Sequence, residues 1–145
     1  MKCDVSREDD IMRVFSEIVE KFGGSKSLIN NAGILRSGST TEADNSEKLR
    51  AVMNTNVLGL AFCTRQMFQS IRKRNVDGHI IHINSIAGHF TQFHKEFDSF
   101  GIFGATKYAA TALAEQQCHE FIKHITSCPN MRATHSTHER DLLKI

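Results

Sequence analysis

Two short apolar segments, each followed at once by a polar turn that contains glycine, constrain the fold most strongly. The segment SLIN, residues 27–30, runs into the turn NAG, and the segment HIIHINS, residues 79–85, runs into a second loop. Helical patterns precede, separate and follow the two segments. A helix between two strands is the connection that joins parallel strands, which a tight hairpin cannot join. This order therefore predicts a parallel α/β sheet with crossover helices.

Apolar residues spaced three and four apart predict three amphipathic helices. We expect the first of these helices to have Ser6 as its N-cap and to end at Gly23. In the second helix, the polar residue Asn56 interrupts the apolar face. The predicted elements, in order, are a helix at 8–22, a short buried strand at 27–30, a loop at 34–46, a long helix at 46–74, a strand at 79–85, a loop at 86–101 and a helix that ends near 122.

The composition narrows the classes of function. The chain has 145 residues, enough for one domain, and a formal net charge of +2, which lacks the basic excess of a nucleic-acid-binding protein. No apolar run reaches the roughly 18 residues of a membrane span, and no secretory signal is recognised at the start. The four cysteines form no CxxC pair, which favours free thiols and a cytoplasmic location.

The histidines are not expected to bind metal. The richest group of possible ligands lacks the close pairs that zinc sites use, and exposed polar side chains are the favoured interpretation. Its members are Cys118, His119, His124, Cys128, His135 and His138.

Five stretches, in this order, resemble the short-chain dehydrogenase/reductase family of single-domain Rossmann oxidoreductases that use NAD or NADP. They are CDV at 3–5, NNAGI at 30–34, NVLG at 56–59, NSIAG at 84–88 and FGATK at 103–107. The stretches NSIAGH and ATKYAATAL look most like the group of insect farnesol dehydrogenases and member-11 type reductases. The resemblance covers about residues 2–122. It implies part of a Rossmann fold, a parallel sheet with flanking helices, without the family's first and last strands.

The resemblance implies a catalytic role for four residues. Ser85 would hydrogen-bond the substrate carbonyl or alcohol, and Asn56 would anchor a water that passes protons toward Lys107. Lys107 would hold the nicotinamide ribose and lower the pKa of the neighbouring acid. That acid would be the residue at position 103, where this chain has Phe103.

The resemblance also implies contacts with the cofactor, NADP or NAD, and a small-molecule alcohol or carbonyl substrate. Asp4 and Val5 would lie against the adenine. The other implied contacts, near the adenosine ribose, come from Asn31, Ala32 and Gly33. A tight turn after a strand is the structural alternative for NNAG.

Position 103 departs from the family pattern. The family has tyrosine there, and its phenol donates a proton to the carbonyl oxygen; Phe103 keeps the ring but has no such proton. The chain's one tyrosine, Tyr108, lies five residues on and is turned by roughly 140° on a helix. Because a general acid contributes about 10²- to 10⁴-fold, we expect catalysis to be impaired.

Two further departures concern the cofactor and the end of the chain. The 145 residues contain no glycine-rich TGxxxGIG loop, so binding of a dinucleotide is expected to be weak. We interpret residues 1–125 as a partial Rossmann domain and residues 126–145 as a divergent, disordered tail that lacks the next strand. The sheet would then be a two-strand parallel core with open edges.

Three interpretations of function remain open from the sequence. The first is an oxidoreductase by ancestry that transfers hydride between NAD(P) and an alcohol or carbonyl, impaired or inactive in this form. The second is a non-catalytic fragment that forms a homodimer, or pairs with an intact family member, through the helix at 46–74 and the FGATK helix. The third is the product of an incomplete gene model or a pseudogene.

Overall fold

The computed structural model describes residues 1–90, 101–122 and 132–136. Its centre is a three-stranded parallel sheet in the order β1-β2-β3. The strands are β1 (Ser27–Asn30), β2 (His79–Ile83) and β3 (Arg132–Ser136). The predicted α/β class and the parallel direction are therefore confirmed.

The third strand corrects the prediction of a two-strand core. β3 pairs with β2 along its whole length, with Ile80 opposite Ala133 and Ile83 opposite Ser136. The sequence RATHS carries no run of large apolar residues, so hydrophobic pattern alone could not identify it. The strand lies within residues 126–145, where no strand was predicted; residues 123–131 and 137–145 of the chain lie outside the described residues.

Helix α1 spans Glu8–Phe22, as predicted. The prediction of Ser6 as its N-cap is wrong, because Arg7 occupies that position and makes no side-chain cap bond. Ser6 instead donates from its backbone and its hydroxyl to Asp4 Oδ1 at 3.0 and 2.8 Å. At the other end, Gly23 is the C-cap and has a left-handed backbone (φ 71°). The helix therefore ends at Gly23, as predicted, because glycine adopts this conformation without strain.

The predicted long helix at 46–74 is present, but it is not uniform. It begins as α2 (Ser46–Met53), continues as a six-residue π-helix (Asn54–Gly59) and ends as α3 (Leu60–Arg74). The residues at both junctions have right-handed helical angles, so the axis continues without a break. Asn56, the polar residue that interrupts the apolar face, lies in the π-helix. Such turns are rare in proteins, and those that occur are often found at functional sites.

Helix α4 spans Phe103–Ile122, so FGATK forms its first turn. The predicted loop before it contains a 3-10 turn at Ile86–Gly88. Residues 91–100 of that loop lie outside the described residues.

The helices cover one face of the sheet. Met67 and Ile71 of α3 pack with Phe121 of α4 and with Ile80 of β2, and Phe15 of α1 packs against this core. Full burial of a side chain such as Ile80, which is 0% exposed, contributes about 1.5–3 kcal/mol. The core thus fixes the helices that bear the site residues.

The other face of the sheet differs from the prediction for β1. Side chains alternate along a strand, so Leu28 points to the core and Ile29 points away from it. Ile29 is 60% exposed, and the prediction of a buried strand is wrong for this residue because the described helices cover only the opposite face.

Candidate active site

The ends of β1 and β2 lie at one edge of the sheet, because Asn30 is paired with His82 in a parallel register. Asn31, Ala32 and Gly33 follow β1 and are exposed to solvent. A methyl group at Gly33 would lie 3.6 Å from Asn56 Oδ1 and 4.0 Å from Lys107 Nζ. The structure therefore brings together three residues that the sequence places far apart.

Asn56 is buried, and its amide ties the loop after β1 to α4. Its Oδ1 accepts from the backbone N–H of Ile34 at 2.8 Å, and its Nδ2 donates to the carbonyl of Ile34 at 2.9 Å. The same Nδ2 donates to Thr106 Oγ1 at 3.1 Å. The amide protons are thus both engaged, which fixes the orientation of the side chain.

Lys107 lies half-buried one turn into α4. Its Nζ donates to the backbone carbonyl of Ile83, the last residue of β2, at 3.3 Å. Burial lowers the pKa of Lys107 from its ordinary value, because removal from water disfavours the charged form. The ammonium also lies over the Phe103 ring, 5.7 Å from its centroid, within the range of a cation–π contact.

Phe103 begins α4 and is half-buried. Its backbone carbonyl accepts from Thr106 Oγ1 at 2.7 Å. Because that hydroxyl also accepts from Asn56, the first turn of α4 is connected to the π-helix. Position 103 thus has an aromatic ring beside the lysine but no phenol. The chain's tyrosine, Tyr108, is 42% exposed.

Ser85 stands at the start of the 3-10 turn that follows β2. Its backbone is extended (φ −149°, ψ 158°), and its Oγ accepts from the N–H of Ala87 at 3.2 Å. The hydroxyl is half-buried. Because Oγ is an acceptor in this contact, its own proton is left to donate to another group.

A small cluster holds this turn against α4. A methyl group at Gly88 would lie 2.7 Å from the carbonyl of Lys107 and 2.8 Å from Asn84 Nδ2. Asn84 donates to Thr111 Oγ1 at 2.7 Å, and Thr111 donates to the carbonyl of Gly88 at 3.1 Å. The backbones of the Ser85 turn and the Lys107 turn are therefore in close contact, which only glycine at position 88 allows.

Sequence reasoning missed the positions of Thr106 and Thr111 in this arrangement. The available signal was their spacing. Thr111 follows Lys107 by four residues and so lies on the same face of the helix, and Thr106 directly precedes the lysine.

Asp4 and Val5 lie at the far end of the π-helix from Asn54. A methyl group at Gly59 would lie 2.6 Å from the carbonyl oxygen of Val5, so the N-terminal segment packs directly on the helix backbone. Asp4 is exposed, and its hydrogen bond from the Ser6 hydroxyl lowers the pKa of its carboxyl. Val5 therefore contacts the end of the π-helix at Gly59, whereas Asp4 is bonded to Ser6 and Asp10.

The family is decided by comparison with known proteins. The family model of short chain dehydrogenases matches residues 1–141, which extends beyond residue 122, where the resemblance was expected to end. The chain belongs to the short-chain dehydrogenase family.

Among its relatives, the chain is 48% identical over 122 residues to a farnesol dehydrogenase of Aedes aegypti, a match that covers 83% of this chain and 48% of that protein. It is 41% identical over 128 residues to human dehydrogenase/reductase SDR family member 11, with 86% of this chain and 48% of that protein covered. This short-chain dehydrogenase sequence thus spans about half the length of the relatives it matches.

Solved structures give the same fold. The chain is similar to ElxO with NADP bound, with a TM-score of 0.78, 27% identity and coverage of 94% of this chain and 51% of that one. It is equally similar to a tyrosine-to-phenylalanine variant of ElxO with NADPH bound, at a TM-score of 0.78 and 28% identity. The sheet and helices of the chain are therefore part of the Rossmann fold of a short-chain dehydrogenase.

Within the part of the chain that the structure describes, no group of three or more His, Cys, Asp or Glu residues could hold a metal ion. His124, Cys128 and His138 lie outside that part. In the same part, no helix is long and apolar enough to cross a membrane.

Proposed function

We propose that this chain carries the alcohol- or carbonyl-binding half of an NAD(P)-dependent oxidoreductase, in which proton transfer to the substrate is impaired. The observation that carries this proposal is the pair at the start of α4, where the Lys107 ammonium lies 5.7 Å from the centroid of a ring that has no hydroxyl. The relatives named as farnesol dehydrogenase and as dehydrogenase/reductase support the class of substrate.

The residues at the sheet edge fit a dinucleotide. Gly33 has no side chain and is exposed, and the space where a methyl group would stand borders Asn56 Oδ1 and Lys107 Nζ. An ammonium and an amide oxygen beside an open surface suit the hydroxyls of a ribose. When bound, the dinucleotide supplies or accepts the hydride; the structures of ElxO with NADP and NADPH support this cofactor class.

Asp4 and Val5 complete the proposed cofactor contacts, with Asn31 and Ala32 at the end of β1. The carbonyl of Val5 is held against Gly59, so the position of this segment depends on the long helix. The Asp4 carboxyl, whose pKa is lowered by its hydrogen bonds from Ser6, is an acceptor for an amino group.

Ser85 binds and polarises the substrate oxygen in this proposal. Its Oγ accepts from the N–H of Ala87, which leaves the hydroxyl proton available to donate. A hydrogen bond to the carbonyl oxygen stabilises the negative charge that develops there during reduction. The cluster of Gly88, Asn84 and Thr111 keeps this turn beside Lys107.

Proton delivery is the weak step. Phe103 cannot donate a proton, and the Lys107 ammonium is held by the carbonyl of Ile83 and by the ring. Burial lowers the pKa of Lys107, so its proton is released more readily than that of a surface lysine. A slow reductase results, because a positioned acid contributes about 10²- to 10⁴-fold and this site has none at position 103.

The experiment compares a chimera with its Phe103→Tyr variant. In the chimera, this chain replaces the segment of the Aedes aegypti farnesol dehydrogenase that it matches, 48% of that protein's length, and the rest of that protein supplies the missing segments. With NADPH and a panel of aldehydes and ketones, we expect kcat to rise by at least about 100-fold in the Tyr variant. Phe103→Leu serves as the matched control, because it changes the side chain without adding an acid.

Two results would contradict the proposal. Equal kcat values for the chimera and the Phe103→Tyr variant would show that another group delivers the proton. A chimera in which Ser85→Ala and Lys107→Met leave the rate of the Tyr variant unchanged would show that these residues do not form the site.

A second candidate function is non-catalytic pairing with another family member. Leu58 of the π-helix and Tyr108 of α4 are 44% and 42% exposed, and both belong to the helices proposed for pairing. A tagged chain co-expressed with a full-length relative should then co-purify with it, and Leu58→Asp together with Tyr108→Asp should abolish the association. Co-purification that survives both substitutions would reject these helices as the contact.

A further inference from the structure

Two cysteines lie on either side of the contact between the N-terminal segment and the long helix, one on each element. Cys63 is in the first turn of α3 and is 7% exposed, whereas Cys3 is exposed to solvent. Both are free thiols. Neither has a part in the proposed oxidoreductase site.

The N-terminal segment is held in place by three contacts. Arg13 Nη2 donates to the carbonyl of Lys2 at 2.8 Å, and the N–H of Asp4 donates to Asp10 Oδ2 at 2.6 Å. The third contact is the close approach of the Val5 carbonyl to Gly59. The segment that carries Cys3 is therefore fixed on both sides of this residue.

The spacing of the contacts places Cys3 beside Cys63. Gly59 and Cys63 are four residues apart on one helical face, a rise of about 6 Å. Val5 and Cys3 are two residues apart, a reach of at most about 7 Å. The segment runs beside α1 toward Arg13, because Asp4 contacts Asp10 and Lys2 contacts Arg13. Helix α1 lies along α3 in the same direction, with Glu8 bonded to Arg65 and Phe15 packed against the core that contains Met67 and Ile71. A segment that passes Gly59 at Val5 thus extends toward Cys63 at Cys3.

The electrostatics agree with this direction of the segment. Burial, with Cys3 as a second and smaller cause, raises the pKa of Cys63 to about 11. A thiolate at Cys3 can affect Cys63 in this way only when the two sulfur atoms are near each other. The pKa of Cys63 thus agrees with the contacts that bring Cys3 toward it, although the two residues are far apart in sequence.

We propose that Cys3 and Cys63 form an oxidation-sensitive pair that closes to a disulfide and fastens the N-terminal segment to α3. With a peroxide as oxidant, the Cys3 thiolate attacks one peroxide oxygen and becomes a sulfenic acid, and the other oxygen leaves as water or an alcohol. The Cys63 sulfur then attacks the Cys3 sulfur, forms the S–S bond and releases water. Two thiols are oxidised by two electrons in total, and one peroxide is reduced.

The order of the two steps follows from exposure. Cys3 is exposed and reacts with the oxidant first, and the buried Cys63 is the resolving thiol that attacks it. Burial and the nearby Asp10 raise the pKa of Cys3, so its thiolate fraction is small at neutral pH. Oxidation is therefore slow at neutral pH and accelerates as the pH rises.

The bond would fix the residues next to it. Asp4 and Val5 follow Cys3 directly, so the disulfide would restrict the segment that we assign to the adenine. This consequence rests on the proposed function, whereas formation of the disulfide does not.

The test oxidises the full 145-residue chain with hydrogen peroxide, blocks the remaining thiols with iodoacetamide and maps tryptic peptides by mass spectrometry. We expect a linked pair of the peptides at 3–7 and 51–65, lighter by two hydrogen atoms than the sum of the free peptides. The link should form faster as the pH is raised, and dithiothreitol should remove it. The oxidised chain should also melt at a higher temperature than the reduced chain.

Cys3→Ser is the deciding variant, because its side chain is exposed and its replacement leaves the core intact. It should remove the link and the shift in melting temperature, while Cys118→Ser should retain both. Links from Cys3 to Cys118 or Cys128 in equal yield, a link that forms only between two chains, or oxidised Cys3 with Cys63 still alkylated would each overturn the proposal. None of these outcomes depends on binding of a dinucleotide, so they are separate from the test of the proposed function.

Discussion

Lys107 Nζ lies over the ring of Phe103, 5.7 Å from its centroid, and donates at the same time to the backbone carbonyl of Ile83 at 3.3 Å. The lysine is thus oriented by the end of β2 and by an aromatic ring without a hydroxyl group. The phenylalanine preserves the position of the cation, because its ring face attracts positive charge. In the proposed site, what the phenylalanine lacks is the phenol that would donate a proton to the substrate.

We predict that Lys107 makes the stability of the fold depend on pH. Its pKa is lowered from 10.5 by burial, so the unfolded chain binds more protons than the folded chain between the lowered value and 10.5. Stability from this group therefore rises as the pH increases through that window. The urea midpoint of Lys107→Met, measured against the unmodified chain from neutral pH to pH 10.5, should show a difference that shrinks as the pH rises.

The comparison between the two chains is needed because Cys3 and Cys63 act in the opposite direction. Their pKa values are raised, so the folded chain retains their protons longer and stability falls as the pH rises past 9.0. A constant difference between Lys107→Met and the unmodified chain would refute the prediction for Lys107.

Asn56→Ala should destabilise the fold by about 2–4 kcal/mol, because it leaves the N–H and carbonyl of Ile34 without the amide that both contact. The measurement is the free energy of unfolding in urea. Asn54→Ala is the control: it removes an amide from the same π-helix, and Asn54 is only half-buried. If both variants lose the same stability, the loss belongs to the helix and not to the Asn56 contacts.

Gly59→Ala should cost about 1–3 kcal/mol of stability, as expected when a tightly packed site is overfilled. The added methyl group would lie 2.6 Å from the carbonyl of Val5, so the N-terminal segment must move. Hydrogen exchange should then increase at residues near Val5.

Gly104→Ala is the matched control for this substitution. Gly104 is also helical, but the nearest atom to an added methyl group, the carbonyl oxygen of Ala87, is 3.9 Å away. Alanine there should be neutral or stabilise the helix by up to about 1 kcal/mol. Two glycine variants of equal stability would disprove the close contact of Val5 with Gly59.

The 145-residue chain by itself should bind NADPH weakly. It contains no glycine-rich phosphate loop, and such a loop supplies the backbone N–H groups that hold a pyrophosphate at a helix N-terminus. Isothermal titration should give a Kd weaker than about 100 μM, a free energy of binding less favourable than roughly −5.5 kcal/mol. Micromolar affinity would mean that the residues at the edge of the sheet suffice.

The helices and the first two strands could be predicted from sequence because their patterns are local. The spacing of apolar residues identifies α1 and the whole length of the helix at 46–74, and SLIN and HIIHI identify β1 and β2. The π-helix has no local sequence pattern from which it could be predicted, and its buried Asn56 bonds to Ile34 and Thr106 in distant parts of the chain. β3 was missed because pairing with β2, not its own composition, makes it a strand.

In the candidate site as well, some residues could be predicted from local sequence and others could not. Ser85, Phe103 and Lys107 were selected by motif, but no spacing in the sequence indicates that Thr111 bridges Asn84 to the carbonyl of Gly88. Likewise, Ser6 fits the pattern of an N-cap, yet its hydroxyl binds Asp4 because the carboxyl lies two residues away and is exposed. Local rules select residue types, and competition between nearby partners decides which bond forms.

The π-helix at Asn54–Gly59 makes the long helix unusually tolerant of a change in length. In an ordinary α-helix, deleting one residue turns everything beyond it by about 100°. Here, deletion of one residue would convert the wide turn to a normal one, and Val52 and Leu60, both buried, would keep their faces toward the core. The helix itself would then survive the deletion, and the loss would fall on the contacts that the Asn56 amide makes with Ile34 and Thr106.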